Sequence, residues 1–330
     1  MSAFLSIVIP AHEEAEGLAR AVAEIQNTAE DHVSHLEIVI VDDGSRDGTW
    51  EVIETLSSES SVIRGVRLSR NFGKEAAILA GLSAVRGDVV ITIDGDLQHP
   101  PAFIPQMLEH WRSGAKVVNM VKATREDEGF LKARLTRIYF SLFTRLAGIE
   151  IGNSADFKLL DREVVDCLLM LPERERFYRG LVAWVGFEQK TILFQVAPRL
   201  AGQGKWSMLR LARLALDSIV SFSTTPMHMM TFLGGLFGLL AIGLGTRTLW
   251  LWLDGRAVDG LTTVILLLII VGSVLMIGLG IIGVYIAKIY EEVKRRPPFI
   301  VQAETLQDAR SRQSDTAQSS QPDMALRRAS

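Results

Sequence analysis

Short runs of β-branched and other apolar residues occupy positions 5–10, 36–42, 63–68 and 89–94, and the stretches between them repeat apolar positions at helical spacing. Leu18, Val22 and Ile25 share one helical face after the first run, and Trp50, Ile53 and Leu56 share another after the second. Strand and helix therefore alternate, the pattern of a parallel α/β sheet. The apolar stripes read as core rather than chemistry.

Nearer the C-terminus the pattern changes. Residues 229–253 and 261–287 are almost continuously apolar, each long enough to cross a ~30 Å hydrocarbon layer as a helix. Two spanning helices are predicted, joined by a short turn over 254–260. Arg247 lies near the far end of the first run, beside Trp250 and Trp252, where its charge can reach the interface. Lys288, Lys294, Arg295 and Arg296 crowd the end of the second run, which predicts both termini on the cytoplasmic side of an inner membrane crossed twice. Ahead of the first span, Arg210, Arg213, Asp217 and Ser221 fall on one stripe of residues 206–222, the pattern of a helix lying in the membrane surface. After Pro297 and Pro298 the tail is rich in Ser, Gln, Asp and Arg and is expected to be disordered. The expected plan is a catalytic domain over 1–205, an amphipathic juxtamembrane helix over 206–226, a two-helix anchor over 227–290 and a cytoplasmic tail over 291–330.

Composition changes this picture little. A net charge of −3 over 330 residues gives no bulk preference for a charged partner, and nucleic acid is not expected as one. The single cysteine, Cys167, excludes an intrachain disulfide and makes a structural zinc site improbable on ligand count. The first residues run directly into a strand without a basic, then apolar, leader pattern, so the first half is expected to stay in the cytoplasm.

The candidate chemistry sits at strand ends. The run at 89–93 leads into Asp94-Gly95-Asp96, two carboxylates at the carboxyl edge of a buried strand, where open α/β sheets bind ligands. Unpaired charge is unfavourable there, and a hard cation such as Mg2+ or Mn2+, shared with phosphate oxygens, resolves it. Asp42-Asp43-Gly44-Ser45 ends another strand on the same rim, where carboxylates can accept hydrogen bonds from a base or ribose, while Ser45 or Asp47 can cap the next helix. Pro10-Ala11-His12-Glu13-Glu14 follows the first strand and supplies a third wall.

Together these motifs resemble the nucleotide-diphospho-sugar transferase pattern of the family-2 glycosyltransferases. Arg70-Asn71-Phe72-Gly73-Lys74-Glu75, the stretch DGDLQHPP from Asp94 to Pro101, Asp156-Phe157-Lys158-Leu159-Leu160 and the two C-terminal spans are similar to the polyprenyl-phosphate branch. That branch includes the bactoprenol glucosyltransferases and dolichyl-phosphate mannose synthases. The resemblance covers residues 5–295 and implies a GT-A fold with a mainly parallel sheet. It implies metal ligation by Asp94, Asp96 and Gln98, and nucleotide-sugar contacts at Pro10, His12, Glu14, Asp42, Asp43, Lys74, Asp94 and Arg125. Arg199 and Lys205 would bind diphosphate or the lipid phosphate, and Asp156 would be the catalytic carboxylate, as a base or an orienting group. Glu13 stands where the family has Asn, Lys122 where Arg is common, and Gly204 where Ser often precedes the Lys-Trp pair.

The expected reaction is inverting transfer of a hexose from a nucleotide-sugar, UDP-glucose first, to undecaprenyl phosphate. GDP-mannose or an aminoarabinose donor, or a non-catalytic membrane sensor of nucleotide-sugars, are the alternatives. A processive synthase would need more spans and a QxxRW motif, and neither occurs in the chain. Gly234-Gly235 and residues 278–283 permit close helix contact and leave a homo-oligomer open.

Overall fold

The first half folds as its pattern predicts, in the order β1 (Phe4–Ala11), α1 (Leu18–Glu30), β2 (His35–Asp42), α2 (Thr49–Glu59), β3 (Ile63–Leu68), α3 (Lys74–Ala84) and β4 (Val89–Thr92). A 3-10 turn and α4 (Ile104–Arg112) lead to β5 (Val117–Lys122), and β6 (Ser154–Asp161), α5 (Arg162–Met170), α6 (Tyr178–Trp184) and β7 (Gln189–Phe194) follow. Two long helices, α7 (Thr225–Leu253) and α8 (Leu261–Val293), precede β8 (Val301–Glu304). This is a computed structural model, and it describes residues 3–122, 154–174, 176–194, 225–255 and 260–305. Two compact units result, one carrying the sheet and the other the two long helices.

The sheet runs β7-β5-β6-β4-β1-β2-β3-β8. Its centre, β4-β1-β2-β3, is parallel. β6 joins antiparallel to both β4 and β5, β7 pairs parallel with β5, and β8 closes the far edge antiparallel to β3. Leu5, Ile7 and Ile9 of β1 and Ile38 and Ile40 of β2 are fully buried in one cluster with Leu18, Val22 and Ile25 of α1 and Ile53 of α2. On the other face α3 packs against β1 and β2. Burial on both faces explains why these strands read as unbroken apolar runs. α3 approaches closely because it carries Gly81: a Cβ there would lie 2.2 Å from Val8 Cγ1 and 3.3 Å from Val41 Cγ2.

The second unit contains the two helices expected from sequence, at 29 and 33 residues. Both are long and apolar enough to cross a membrane. Many of their described apolar side chains are exposed, Phe232 at 77% and Leu239 at 69%. A helix that is apolar all round and uncovered by protein is suited to an apolar solvent.

One expectation fails. The tail after Pro298 was expected to be disordered, yet Val301–Glu304 is a strand. It is secured by Ser69 N donating to Ile300 O (2.9 Å) and Thr305 N donating to Gly65 O (3.1 Å). The polar composition of the whole tail conceals four alternating residues that the free edge of β3 can pair. The juxtamembrane helix expected before residue 225 lies outside the described residues.

Gly81→Ala inserts a methyl into this packed contact and is expected to cost about 1–3 kcal/mol. Thermal unfolding of the purified protein should show a lower midpoint, partly recovered when Val8→Ala is added. An unchanged midpoint would contradict the packing of α3 on β1.

Candidate active site

β4 ends at Thr92, and the chain turns immediately into the acidic triplet. Asp94, Asp96 and His99 each offer a ligand atom, and the three lie within 4.8 Å of one another. His99 is 3% exposed, packs against Phe157 and Phe194, and places Nδ1 3.5 Å from Asp94 Oδ2. Gln98 contributes its backbone N–H, which donates to Asp96 Oδ1 (3.0 Å). Glu14, in the turn that leads from β1 into α1, completes the acidic group. Its Oε2 is buried without a hydrogen-bond partner among the described residues. Burial, then the charges of Asp96 and Asp94, pushes its pKa up to about 7. Gly95 permits this crowding, because a Cβ there would lie 2.7 Å from Glu14 Oε2.

Two carboxylates, an imidazole and an orphaned carboxylate oxygen are a donor set that fits a divalent cation such as Mn2+ or Mg2+. His99 is the candidate ligand that sequence reasoning missed. The signal was present as Asp-x-Asp-x-x-His inside the quoted motif.

Beside this group stands Asp156, on β6. Lys74, the first residue of α3, bridges the two: its Nζ lies 2.6 Å from Asp94 Oδ1 and 2.7 Å from Asp156 Oδ2. Arg179 of α6 grips the same carboxylate as a fork, Nε donating to Oδ1 (2.6 Å) and Nη2 to Oδ2 (3.0 Å). Burial alone would raise the Asp156 pKa, but the bonds and charge of Arg179 and the charge of Lys74 outweigh it. They hold the carboxyl well below the usual carboxylate range. As arranged, it is a fixed anion between two cations, a poor proton acceptor. Thr92 ties the elements together, its hydroxyl donating to Asp156 O (2.5 Å) and pairing with Tyr178 Oη (2.9 Å). Lys158, two residues along β6, is buried against Asn119 and Ser154. Burial, then Arg179, lowers its pKa to about 7.

The remaining rim lies at the carboxyl ends of β1, β2 and β3. Asp42 and Asp43, expected to touch a nucleotide, are buried and engaged by protein. Asp42 Oδ1 accepts from Ser45 N (2.9 Å) and Oδ2 meets Arg67 Nε at 3.2 Å. Asp43 accepts from Phe72 N (2.7 Å) and Gly73 N (2.8 Å), so it holds the loop that delivers Lys74. Between these loops opens a cavity of about 480 Å³, lined in part by His12, Glu13, Arg46, Arg70, Asn71 and Gln302. Glu13 takes a left-handed backbone, φ 56°, where the resembling family carries Asn, a residue that tolerates that region.

The structure thus brings His12, Glu14, Asp42, Asp43, Lys74, Asp94, Asp96 and Asp156 to one rim, with Pro10 buried at the next-to-last position of β1. Arg125, Arg199 and Lys205 lie outside the described residues. Arg179 and Tyr178 were not legible, since their seven-residue helix has no spacing that links it to Asp156.

Fold and site define a GT-A-like α/β enzyme with a carboxylate-rich rim. Residues 6–169 match the family model described as Glycosyl transferase family 2. An uncharacterized glycosyltransferase of Synechocystis sp. is 38% identical over 306 residues, covering 91% of this chain and 95% of the relative. The bactoprenol glucosyl transferase of Shigella phage SfII is 35% identical over 302 residues, covering 90% and 97%. A prophage bactoprenol glucosyl transferase homolog of Escherichia coli is 34% identical over 302 residues, covering 90% and 98%. Among solved structures, glucosyl-3-phosphoglycerate synthase from Mycobacterium tuberculosis, in complex with Mn2+, UDP-glucose and phosphoglyceric acid, is 21% identical with a TM-score of 0.44, covering 66% of this chain and 78% of that one. The chain belongs to glycosyl transferase family 2 and is a glycosyltransferase.

Behind Lys74, Glu75 accepts from Tyr178 N (2.8 Å) at the start of the helix that carries Arg179. Burial, then the charge of Asp156, raises its pKa from 4.5 to about 7. A carboxyl whose folded pKa exceeds its unfolded value contributes fully below about pH 4.5 and loses that contribution as pH rises to about 7. Glu75→Gln keeps the acceptor and removes the charge. It is expected to raise the unfolding midpoint over wild type at pH 8 and to give little gain at pH 5. Equal gains at both pH values would contradict the assignment.

Proposed function

We propose that the protein transfers a hexose, with inversion, from a nucleotide-sugar to the phosphate of a polyprenyl phosphate, with UDP-glucose as the leading donor. The observation that carries this reading is the Lys74 bridge between Asp94 and Asp156, which puts a cation-binding group and a doubly clamped carboxylate on one rim. Relatives named bactoprenol glucosyl transferase support the lipid acceptor.

Asp94, Asp96 and His99 would hold the divalent cation, with Glu14 beside them. When bound, it supplies Lewis-acid stabilisation of the departing nucleoside diphosphate. Lys74 and Arg179 present fixed positive charge to the two phosphate-bearing reactants, and Asp156 keeps both cations in place. An acceptor oxygen forms the new bond to the anomeric carbon as the bond to the diphosphate breaks. A phosphate monoester has its second pKa near ~6, so the acceptor is largely dianionic at neutral pH and needs little help from a base. That agrees with the depressed pKa of Asp156 and favours its orienting role over proton abstraction.

The two apolar helices would anchor the enzyme where the acceptor resides. β8 pairs with β3, so the chain leaving the second helix returns to the sheet from which it departed. An even number of crossings satisfies this. With the basic end of the second helix, it supports a twice-crossed inner membrane with the catalytic unit and both termini cytoplasmic.

Purified protein with Mn2+ and undecaprenyl phosphate, offered UDP-glucose, UDP-galactose, GDP-mannose and UDP-aminoarabinose in turn, is expected to give a lipid product of added hexose mass with UDP-glucose. The product should have inverted anomeric configuration by NMR. Asp156→Asn should lower kcat by about 100-fold or more while nucleotide binding persists. Wild-type turnover in that variant, or no lipid product with any donor, would contradict the reading.

A further inference from the structure

The cavity on the rim has a wall from an unexpected source. Most of its lining comes from the loops after β1, β2 and β3, but Gln302 belongs to β8, beyond both long helices. The geometry points to Gln302 as a donor-specificity residue that contacts the nucleobase of the nucleotide-sugar. This rests on the donor reading given above and assigns one end of that donor.

The sheet order sets the direction. β4 bears the acidic group, and β1, β2 and β3 follow in turn. Three inter-strand spacings separate β4 from β3, roughly 14 Å at 4.8 Å each. That is the scale on which a nucleoside diphosphate extends from its phosphates to its base. A diphosphate at Asp94 and Asp96 therefore sends its nucleoside along the carboxyl ends of β1 and β2 toward β3 and the strand outside it.

β8 is built to present a side chain there. Ser69 N donates to Ile300 O on one side of Gln302, and on the other Thr305 N donates to Gly65 O while Gly65 N donates to Thr305 Oγ1 (3.2 Å). Gly65 is required for that closure, since a Cβ would lie 2.4 Å from Ile53 Cγ2 and 2.9 Å from Thr305 Cγ2. The ladder pairs Arg67 with Ala303 and Leu68 with Val301, and its register shifts between Arg67 and Leu68. Gln302 is thus the extra, unpaired residue of a bulge on β8, the device by which an edge strand re-aims a side chain beside a site. Its side chain is exposed and makes no hydrogen bond to the described residues. A carboxamide offers a donor and an acceptor together, which matches the adjacent N–H and carbonyl on the edge of uracil or guanine.

The test uses the full-length protein with Mn2+ and compares wild type with Gln302→Ala and Gln302→Glu by calorimetry, using UDP, GDP and inorganic diphosphate as probes. For whichever nucleoside diphosphate binds wild type more tightly, both variants are expected to bind about tenfold more weakly, the loss of one good hydrogen bond. Inorganic diphosphate should bind all three proteins equally, and in turnover KM for the donor should rise with kcat kept. Nucleotide affinity within twofold of wild type in Gln302→Ala would overturn the assignment of Gln302 alone. Wild-type protein that binds neither UDP nor GDP would overturn the donor reading and this assignment with it.

Discussion

The constraint on which the rest depends is the concentration of negative charge at the carboxyl end of β4. Glu14, Asp94 and Asp96 converge where a buried strand ends, and Asp156 stands within reach of the same lysine. Such a group cannot persist in a low-dielectric setting without compensation. Arg179 compensates Asp156, and Lys74 is shared between Asp156 and Asp94, which leaves the remaining charge of Glu14, Asp94 and Asp96 for a cation. Much of the surrounding sequence serves this balance. Asp43 holds the loop that starts α3 at Lys74, Glu75 and Thr92 hold the helix that brings Arg179, and Gly95 keeps the acids close enough to share one ligand.

The same balance bears on how the reaction proceeds. A carboxylate pinned by an arginine fork and a lysine is a poor base, and the proposed phosphate acceptor, already anionic, has little need of one. On the proposed reading, catalysis by this arrangement is chiefly electrostatic, with cations fixed by the fold before the reactants arrive. On the same proposed reading the two apolar helices and the catalytic rim are parts of one problem, since a polyprenyl phosphate brings its charge only as far as the lipid headgroups.

Legibility in the sequence followed burial. β1 to β4 were readable because strands covered on both faces are continuously apolar, and α7 and α8 because their length has few alternative explanations. β8 was hidden because four residues of edge strand leave only a weak period-2 signal within a polar tail. In the site, Asp94 and Asp96 stood out as acids ending an apolar run, and Lys74 and Asp156 came through resemblance. Arg179 and His99 did not, because each acquires its meaning from a contact across the fold: a fork onto another strand's carboxylate, and a ring among phenylalanines facing the acids. Asp42 and Asp43 were legible as acids ending β2, and the fold buries both against the loops that follow β2 and β3.

The measurement that bears most directly on the cation at the end of β4 is pulsed electron paramagnetic resonance of Mn2+ bound to the protein with UDP. The account predicts a histidine nitrogen coupling that disappears in His99→Gln, a 31P coupling from the diphosphate of UDP, and loss of bound Mn2+ in Asp94→Asn and Asp96→Asn. Mn2+ that binds undiminished in both aspartate variants, or that shows no 31P coupling with UDP present, would contradict it.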